Sequence, residues 1–291
     1  MILGRLMVAA GVAVVLVAGC SSTDSPPLSP SSSPSSAEAS ATSPSASPLV
    51  ARGVVATDLS EQIEHVHGLV ATGEDTVVAG THDGARTVDA GGKVSSPGED
   101  RDDLMGMTGE AGSQKLASSG HPGPGSSLPN PVGLLTSADG GATWKPVSLQ
   151  GEVDFHALAV SGDDVIGYGG GSALMVSDDG GKNWKDGAEV QAAALAYSGD
   201  RILATTQSGL QVSTDGGQSF EKVSGAPLLA LISAGTDETV LGLDPEGMVW
   251  SSTDRGATWE KVGEATDAQA VAASSQGRGF AVSQTQLFAI G

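Results

Sequence analysis

The side chains with the clearest capacity for chemistry are five histidines, His65, His67, His82, His121 and His156. None follows residue 156, so whatever they do is done by the segment from 65 to 156. His65 and His67 lie two apart in a β-prone run, a spacing that puts both on one side of a strand. Met105 and Met107 repeat the i, i+2 spacing inside Asp103-Leu104-Met105-Gly106-Met107. Imidazole with thioether is a ligand set for copper, Cu(I) above all; imidazole alone suits zinc. Other readings of the same residues are a site for a small ligand, or hydrogen-bonding histidines over a methionine-containing core. Asp83, Asp103 and Asp154 flank the histidines and are the candidate catalytic acids. A glycosidase needs only two carboxyl groups about 5–10 Å apart.

The elements that position these residues are written as a repeat. Ser137-Ala138-Asp139-Gly140-Gly141-Ala142-Thr143-Trp144 recurs from Ser177 to Trp184, from Ser213 to Phe220 and from Ser252 to Trp259, at steps of 40, 36 and 39 residues. Thr87 to Val94 is a degraded copy. Self-similarity at a period of about 40 residues marks an architecture of stacked supersecondary units. Ser and Asp bond to the backbone of their own turn, and the terminal Trp or Phe brings an apolar body to pack between sheets. One Gly of the motif is kept in all four copies, as a positive φ would require. Its neighbour becomes Arg255 in the last copy, which predicts that this neighbouring position is free of that constraint. The pattern S-x-D-x-G-x-x-W resembles the Asp-box, or BNR, repeat of sialidase-like β-propellers, so the boxes are expected to be structural turns.

Aligned on the boxes, each unit reads as strands A, B and C, the box turn, and strand D. Strand A starts recur near residues 65, 104, 155, 191, 228 and 267, which predicts an all-β, six-bladed propeller over residues 50–291. The last unit lacks a fourth strand, and residues 51–57 are a β-prone run available to supply it. Closing the ring in this way removes an exposed edge. Strand A starts and strand B ends share one rim, so all five histidines are expected on one face, on blades 1 to 3.

Residues 1–19 read as a secretory signal: Arg5 is followed by an apolar run from Leu6 to Ala18, too short for a comfortable membrane span. Val17-Ala18-Gly19-Cys20 resembles the bacterial lipobox, and the resemblance implies lipidation of Cys20, the single Cys of the chain. Residues 20–49 then form a linker. Ser21 to Leu49 holds thirteen Ser and six Pro and has almost nothing to bury against the entropy of ordering. A flexible chain of that length spans roughly 30 Å. The expected location is the extracytoplasmic face of the cell membrane, held by the lipid anchor.

The net charge of −20, from 34 acidic and 14 basic side chains, argues against nucleic acid, which is held mainly through Lys and Arg contacts to phosphate. The text around the histidines, with Thr81-His82-Asp83-Gly84 and Ser119-Gly120-His121-Pro122 among it, resembles a group of bacterial secreted propellers labelled sialidase-like glycosyl hydrolases. True sialidase chemistry would imply an Arg triad for a carboxylate. Among seven Arg, only Arg86 and Arg101 map near the histidine face, so that chemistry is not expected. The expected function is a membrane-anchored propeller binding copper, zinc or a small ligand on its His-rich face. The alternatives are a glycoside hydrolase acting on a glycan and an assembly propeller that engages a protein partner.

Overall fold

The computed structural model describes residues 53–291. The expected signal segment 1–19, the lipidation site Cys20 and the linker 20–49 lie outside the described residues. Every regular element among the described residues is a strand. The first, β1 (Val54–Asp58), precedes the repeats. Blade 1 is β2 (Val66–Ala71), β3 (Thr76–Thr81), β4 (Gly84–Asp89) and β5 (Val94–Ser95). Blade 2 departs from the pattern. A short ladder of β6 (Asp103–Leu104) with β9 (Gly120–His121) extends the hairpin of β7 (Thr108–Gly109) and β8 (Leu116–Ser118), and β10 (Leu134–Ser137) and β11 (Lys145–Ser148) complete the sheet.

The next three blades are regular in order. Blade 3 is β12 (Ala157–Ser161), β13 (Asp164–Tyr168), β14 (Met175–Ser177) and β15 (Lys185–Asp186). Blade 4 is β16 (Ala194–Ser198), β17 (Arg201–Thr206), β18 (Gly209–Ser213) and β19 (Glu221–Lys222). Blade 5 is β20 (Leu231–Ala234), β21 (Val240–Leu243), β22 (Met248–Ser252) and β23 (Glu260–Glu264). Blade 6 takes β24 (Ala270–Ala273), β25 (Gly279–Val282) and β26 (Gln286–Ile290), and its outer strand is β1. The antiparallel register Val54↔Ile290 through Asp58↔Gln286 joins the start of the domain to its end.

Between each pair of neighbouring blades lies an apolar layer. That between blades 6 and 1 joins Val66, Leu69 and Val77 to Ala270, Phe280 and Leu287, so the ring is closed by packing as well as by β1. These sheets form a six-bladed β-propeller, as the spacing of the boxes predicts.

The box turns work as local locks. In each of the four full copies the Ser hydroxyl donates to the Asp carboxylate and accepts the N–H of the second Gly, as with Ser177, Asp179 and Gly181 at 2.9 and 3.0 Å. The Asp then accepts the N–H four residues on, from Asn183 at 2.9 Å. The degraded copy keeps this bond, Lys93 N–H to Asp89 at 3.0 Å. The second Gly must lack a side chain, because it docks on the preceding blade: a Cβ on Gly181 would lie 2.1 Å from Leu134. The freedom expected at the preceding position is corrected. Gly140, Gly180 and Gly216 have φ of 68, 76 and 70°, and Arg255 adopts φ 59° in the same place. That position faces open space at Gly216, so a side chain fits there, but only in a left-handed backbone that L-residues disfavour.

Candidate functional site

The A–B hairpins of blades 1 and 2 each carry an irregularity at the rim where the histidines lie. In β2 the register passes from Val66↔Thr81 to Gly68↔Gly80, leaving His67 as an extra residue. In blade 2 it passes from Leu104↔Gly120 to Thr108↔Ala117, so Met105, Gly106 and Met107 oppose Ser118 and Ser119. Bulges of this kind bend a strand and re-aim its side chains. The expectation that His65 and His67 share one side of a regular strand is therefore replaced. His65 precedes β2 with φ 49° and His67 is the bulged residue, yet both rings reach His82, with centroids 4.8 and 4.4 Å away.

Asp103 completes this group. His82 Nδ1 lies 2.8 Å from Asp103 Oδ2, His67 Nε2 lies 3.7 Å from Asp103 Oδ1, and the two imidazole nitrogens are 3.4 Å apart. One donor atom from each of His67, His82 and Asp103 falls within 4.8 Å of the others. The side chains of His67 and Asp103 are 21% and 17% exposed, that of His82 46%, so the group opens to solvent on one side. Burial, and then the neighbouring His82, hold the His67 imidazole below its ordinary pKa, against an opposing pull from Asp103. Asp103 Oδ1 is buried and has no hydrogen-bond partner among the described residues.

His121 and His156 gather around a second carboxylate. Each places Nε2 3.4 Å from Asp154 Oδ2. His121 Nδ1 is 2.7 Å from Asn130 Oδ1, on the loop between β9 and β10. Asp154 is 15% exposed, and its Oδ1 is buried without a hydrogen-bond partner among the described residues. Two fixed points aim this pair. Phe155 N–H donates to the hydroxyl of the fully buried Ser119 at 2.9 Å, and His156 N–H donates to Tyr168 O at 3.0 Å. The two groups adjoin, because Asp103 pairs directly with His121 across β6 and β9. His67 and His156 both line the mouth of the central cavity, a space of about 550 Å³ ringed by the inner strands.

Met105 and Met107 lie in the turn of the blade 2 bulge, not on a strand. Met107 is 6% exposed and packs with Val70, Val78 and Leu104 between blades 1 and 2. A Cβ on Gly68 would meet its carbonyl oxygen at 2.3 Å, and one on Gly80 would lie 3.2 Å from its sulfur. Met107 thus belongs to the packing that presses the two bulges together. Asp83, the third candidate acid, is held by Arg86 at 2.6 Å and faces Arg101 at 3.7 Å, so the two arginines near this face are bound to an aspartate of their own.

Sequence reasoning passed over Ser119 and Asn130. It weighed Asp103 and Asp154 as acids rather than as partners of imidazoles. Asp154-x-His156 carried the i, i+2 signal that would have joined them; nothing local marked Ser119 or Asn130.

Residues 175–186, the box turn of blade 3 with its flanking strands, match the BNR/Asp-box repeat family. No curated protein gives a significant match to the chain. Solved structures with similar folds include a Niastella koreensis GH74 enzyme, 17% identical over 80% of this chain and 38% of its own, with a TM-score of 0.47. The GH74 xyloglucanase of Xanthomonas campestris is 19% identical over 78% and 41%, also at 0.47. YCF48 bound to a D1 peptide is 15% identical over 81% and 96%, at 0.50. The chain thus spans under half the length of either GH74 protein, and at such identities the likeness is one of fold. The chain is a six-bladed β-propeller built on BNR/Asp-box turns.

Proposed function

We propose that this protein is a lipid-anchored extracytoplasmic propeller whose histidine face holds a divalent transition-metal ion, zinc by its donor set, between His67, His82 and Asp103. The observation that carries the reading is the convergence of three donors within 4.8 Å. Zinc bound tetrahedrally at about 2.0–2.2 Å from N and O places neighbouring donors roughly 3.3–3.6 Å apart. The two imidazole nitrogens stand 3.4 Å apart, within that range, and each lies near an oxygen of the same carboxylate, His82 2.8 Å from Asp103 Oδ2 and His67 3.7 Å from Oδ1. A cation would also satisfy Asp103 Oδ1, whose burial without a partner is otherwise costly. Imidazole and carboxylate favour zinc over Cu(I), and of the two candidate thioethers Met107 is committed to the core. Three protein ligands leave a coordination position toward solvent, where a bound ion would polarise a water or an anionic ligand. Localisation rests on the lipobox-like sequence at Cys20. Two or more acyl chains there would make a durable anchor, with the residues behind it as a tether.

The test is zinc uptake by the full chain, purified without a polyhistidine tag and stripped with chelator. Elemental analysis and calorimetry should show His67→Ala with His82→Ala losing one equivalent of tight zinc, with thermal melting of the metal-free protein little changed. Met107→Leu should keep that equivalent. Uptake unaltered by the double substitution would overturn the reading, and loss in Met107→Leu alone would return the site to thioether chemistry.

A further inference from the structure

The central cavity has one end at the histidine face and the other at the box turns, and the second end is closed. The turn between β7 and β8, residues 110–115, is the longest of the six A–B turns and lies across the bore. Gly112 N–H donates to Ala71 O of blade 1 at 2.7 Å. Glu110 Oε1 accepts the N–H of Gly162 of blade 3 at 2.7 Å. A Cβ on Gly112 would stand 3.9 Å from Thr236 Cγ2 of blade 5, the blade opposite its own in a ring of six. A turn held by blades 1 and 3 and reaching blade 5 is a plug. The cavity therefore opens past His67 and His156 alone.

Its walls set what can enter. The inner strands β2, β7, β12, β16, β20 and β24 each end their sheet, with a hydrogen-bonded neighbour on one side only. Their other edges turn backbone N–H and C=O groups to the bore, between small residues such as Ala157, Ala159, Ala194 and Ala270. Five residues of β12 or β16, at about 3.3 Å each, give a depth of roughly 16 Å. Apart from the two histidines, the ionisable side chains that border the cavity at all carbon-acid or guanidinium positions are Glu110, Asp237, Glu238 and Arg255, all at the plug. Glu110 is held by Gly162, Asp237 accepts the Gln276 N–H at 2.7 Å, and Arg255 pairs with Asp200 and Glu238. A charged ligand would thus lose its hydration without gaining a free counter-charge, and an apolar one would leave the strand edges without partners. A neutral ligand carrying both donors and acceptors meets neither cost.

We propose that this cavity, about 550 Å³ and so of a size that holds small molecules, binds a neutral hydroxyl-rich ligand, a monosaccharide or the terminal sugar of a glycan. A bore plugged at one end takes a chain end and excludes the middle of a chain. The pocket needs no metal, and it stands apart from the reading of His67, His82 and Asp103.

The test is calorimetry and saturation-transfer NMR on the chelator-stripped full chain. Glucose and N-acetylglucosamine are the neutral probes, glucuronate and glucosamine their charged counterparts, and cellobiose and diacetylchitobiose present the same units as chain ends. At least one neutral sugar should bind, and its charged counterpart should bind ten-fold or more weakly. His156→Trp should cost that sugar ten-fold or more by filling the mouth; the His156 side chain is 56% exposed, so the ring has room outside the core. Should that variant melt early, hydrogen exchange of the native chain reads the same point, since bound sugar should slow the amides of β12 and β16. A disaccharide that binds as well as its unit assigns the pocket to glycan ends, and binding of the free sugar alone assigns it to monosaccharides. No binding of any neutral probe, equal binding of the charged ones, protection elsewhere than the inner strands, or binding that appears only with added zinc would overturn the pocket. Zinc uptake without sugar binding would leave the metal reading standing, and sugar binding without zinc uptake would do the reverse.

Discussion

Arg255 offers a test in which opposing terms can be separated. Its backbone is left-handed at φ 59°, which costs a Cβ-bearing residue roughly 1–2 kcal/mol. Its guanidinium reaches Asp200 at 3.1 Å and Glu238 at 3.6 Å. Both carboxylates are mostly exposed, at 81% and 61%, so screening leaves the two pairs about 0–1 kcal/mol together. Arg255→Ala keeps the strain and loses the pairs, and should destabilise by about 0–1 kcal/mol. Arg255→Gly loses the pairs and the strain, while adding about 0.4–1 kcal/mol of unfolded-chain entropy; its net change should lie near zero. The Gly variant should therefore be more stable than the Ala variant by about 0.5–1 kcal/mol, which is about 1–4 °C in Tm for a domain of this size. Urea unfolding and thermal melting of the two variants side by side measure it. An Ala variant as stable as the Gly variant, or more so, would refute the strain at this position. Gly217→Ala supplies the contrast: its Cβ would meet Ile166 at 2.8 Å in a backbone with φ 83°, so it should cost clearly more.

Deleting residues 50–58 should destabilise the propeller by several kcal/mol, since it removes five register pairs with β26 at about 0.5–1.5 kcal/mol per hydrogen bond and bares an edge. Deleting 21–45 should leave melting unchanged, and equal tolerance of both deletions would refute closure by β1. On acidification, hydrogen bonds from the Thr143 and Ser219 side chains and backbones hold Asp139 and Asp215 at about 2, from an ordinary 3.8. Depressed folded values mean that this stabilisation is complete above the unfolded pKa and disappears as pH falls through the folded one. Box-dependent stability should therefore be lost between roughly pH 4 and 2, and a melting temperature that fell mainly between pH 7 and 5 would contradict it.

The ring was legible because its signal is local and repeated. Ser, Asp and Gly in each box bond within their own turn, so the motif reports the turn wherever it recurs, and a last unit short of one strand pointed to β1. The chemistry was legible only by type. Both bulges arise from contacts between blades, with Gly68 and Gly80 lying flush against Met107, and neither residue announces that in its own neighbourhood. Alternation along an assumed strand therefore gave Met107 as a ligand when it is core. The same limit hid the imidazole partners of Asp103 and Asp154, which the sequence offers only as candidate acids, and Ser119, which fixes Phe155 from 36 positions away. Arg255 misled for the opposite reason. A substitution within a repeat reads as freedom, although the backbone keeps its left-handed form.

The location of the histidines follows from where the repeat breaks. The A–B hairpins of blades 4, 5 and 6 pair in unbroken register, so their rim residues keep the alternation that sends one face to each neighbouring blade. Blades 1 and 2 each insert a residue at that rim, which releases His67 from the alternation and lets Asp103 meet His82 across the blade boundary. Blade 3 keeps a regular hairpin, but Ser119, opposite the second bulge, draws Phe155 toward blade 2 and so turns Asp154 and His156 to the same side. Two bulges and one buried hydroxyl thus convert a symmetric rim into a lopsided cluster of five imidazoles and two carboxylates. Removing the bulge by deleting His67 should restore regular pairing in blade 1 while dispersing that cluster, because the register of β2 with β3 alone decides which way its side chains face.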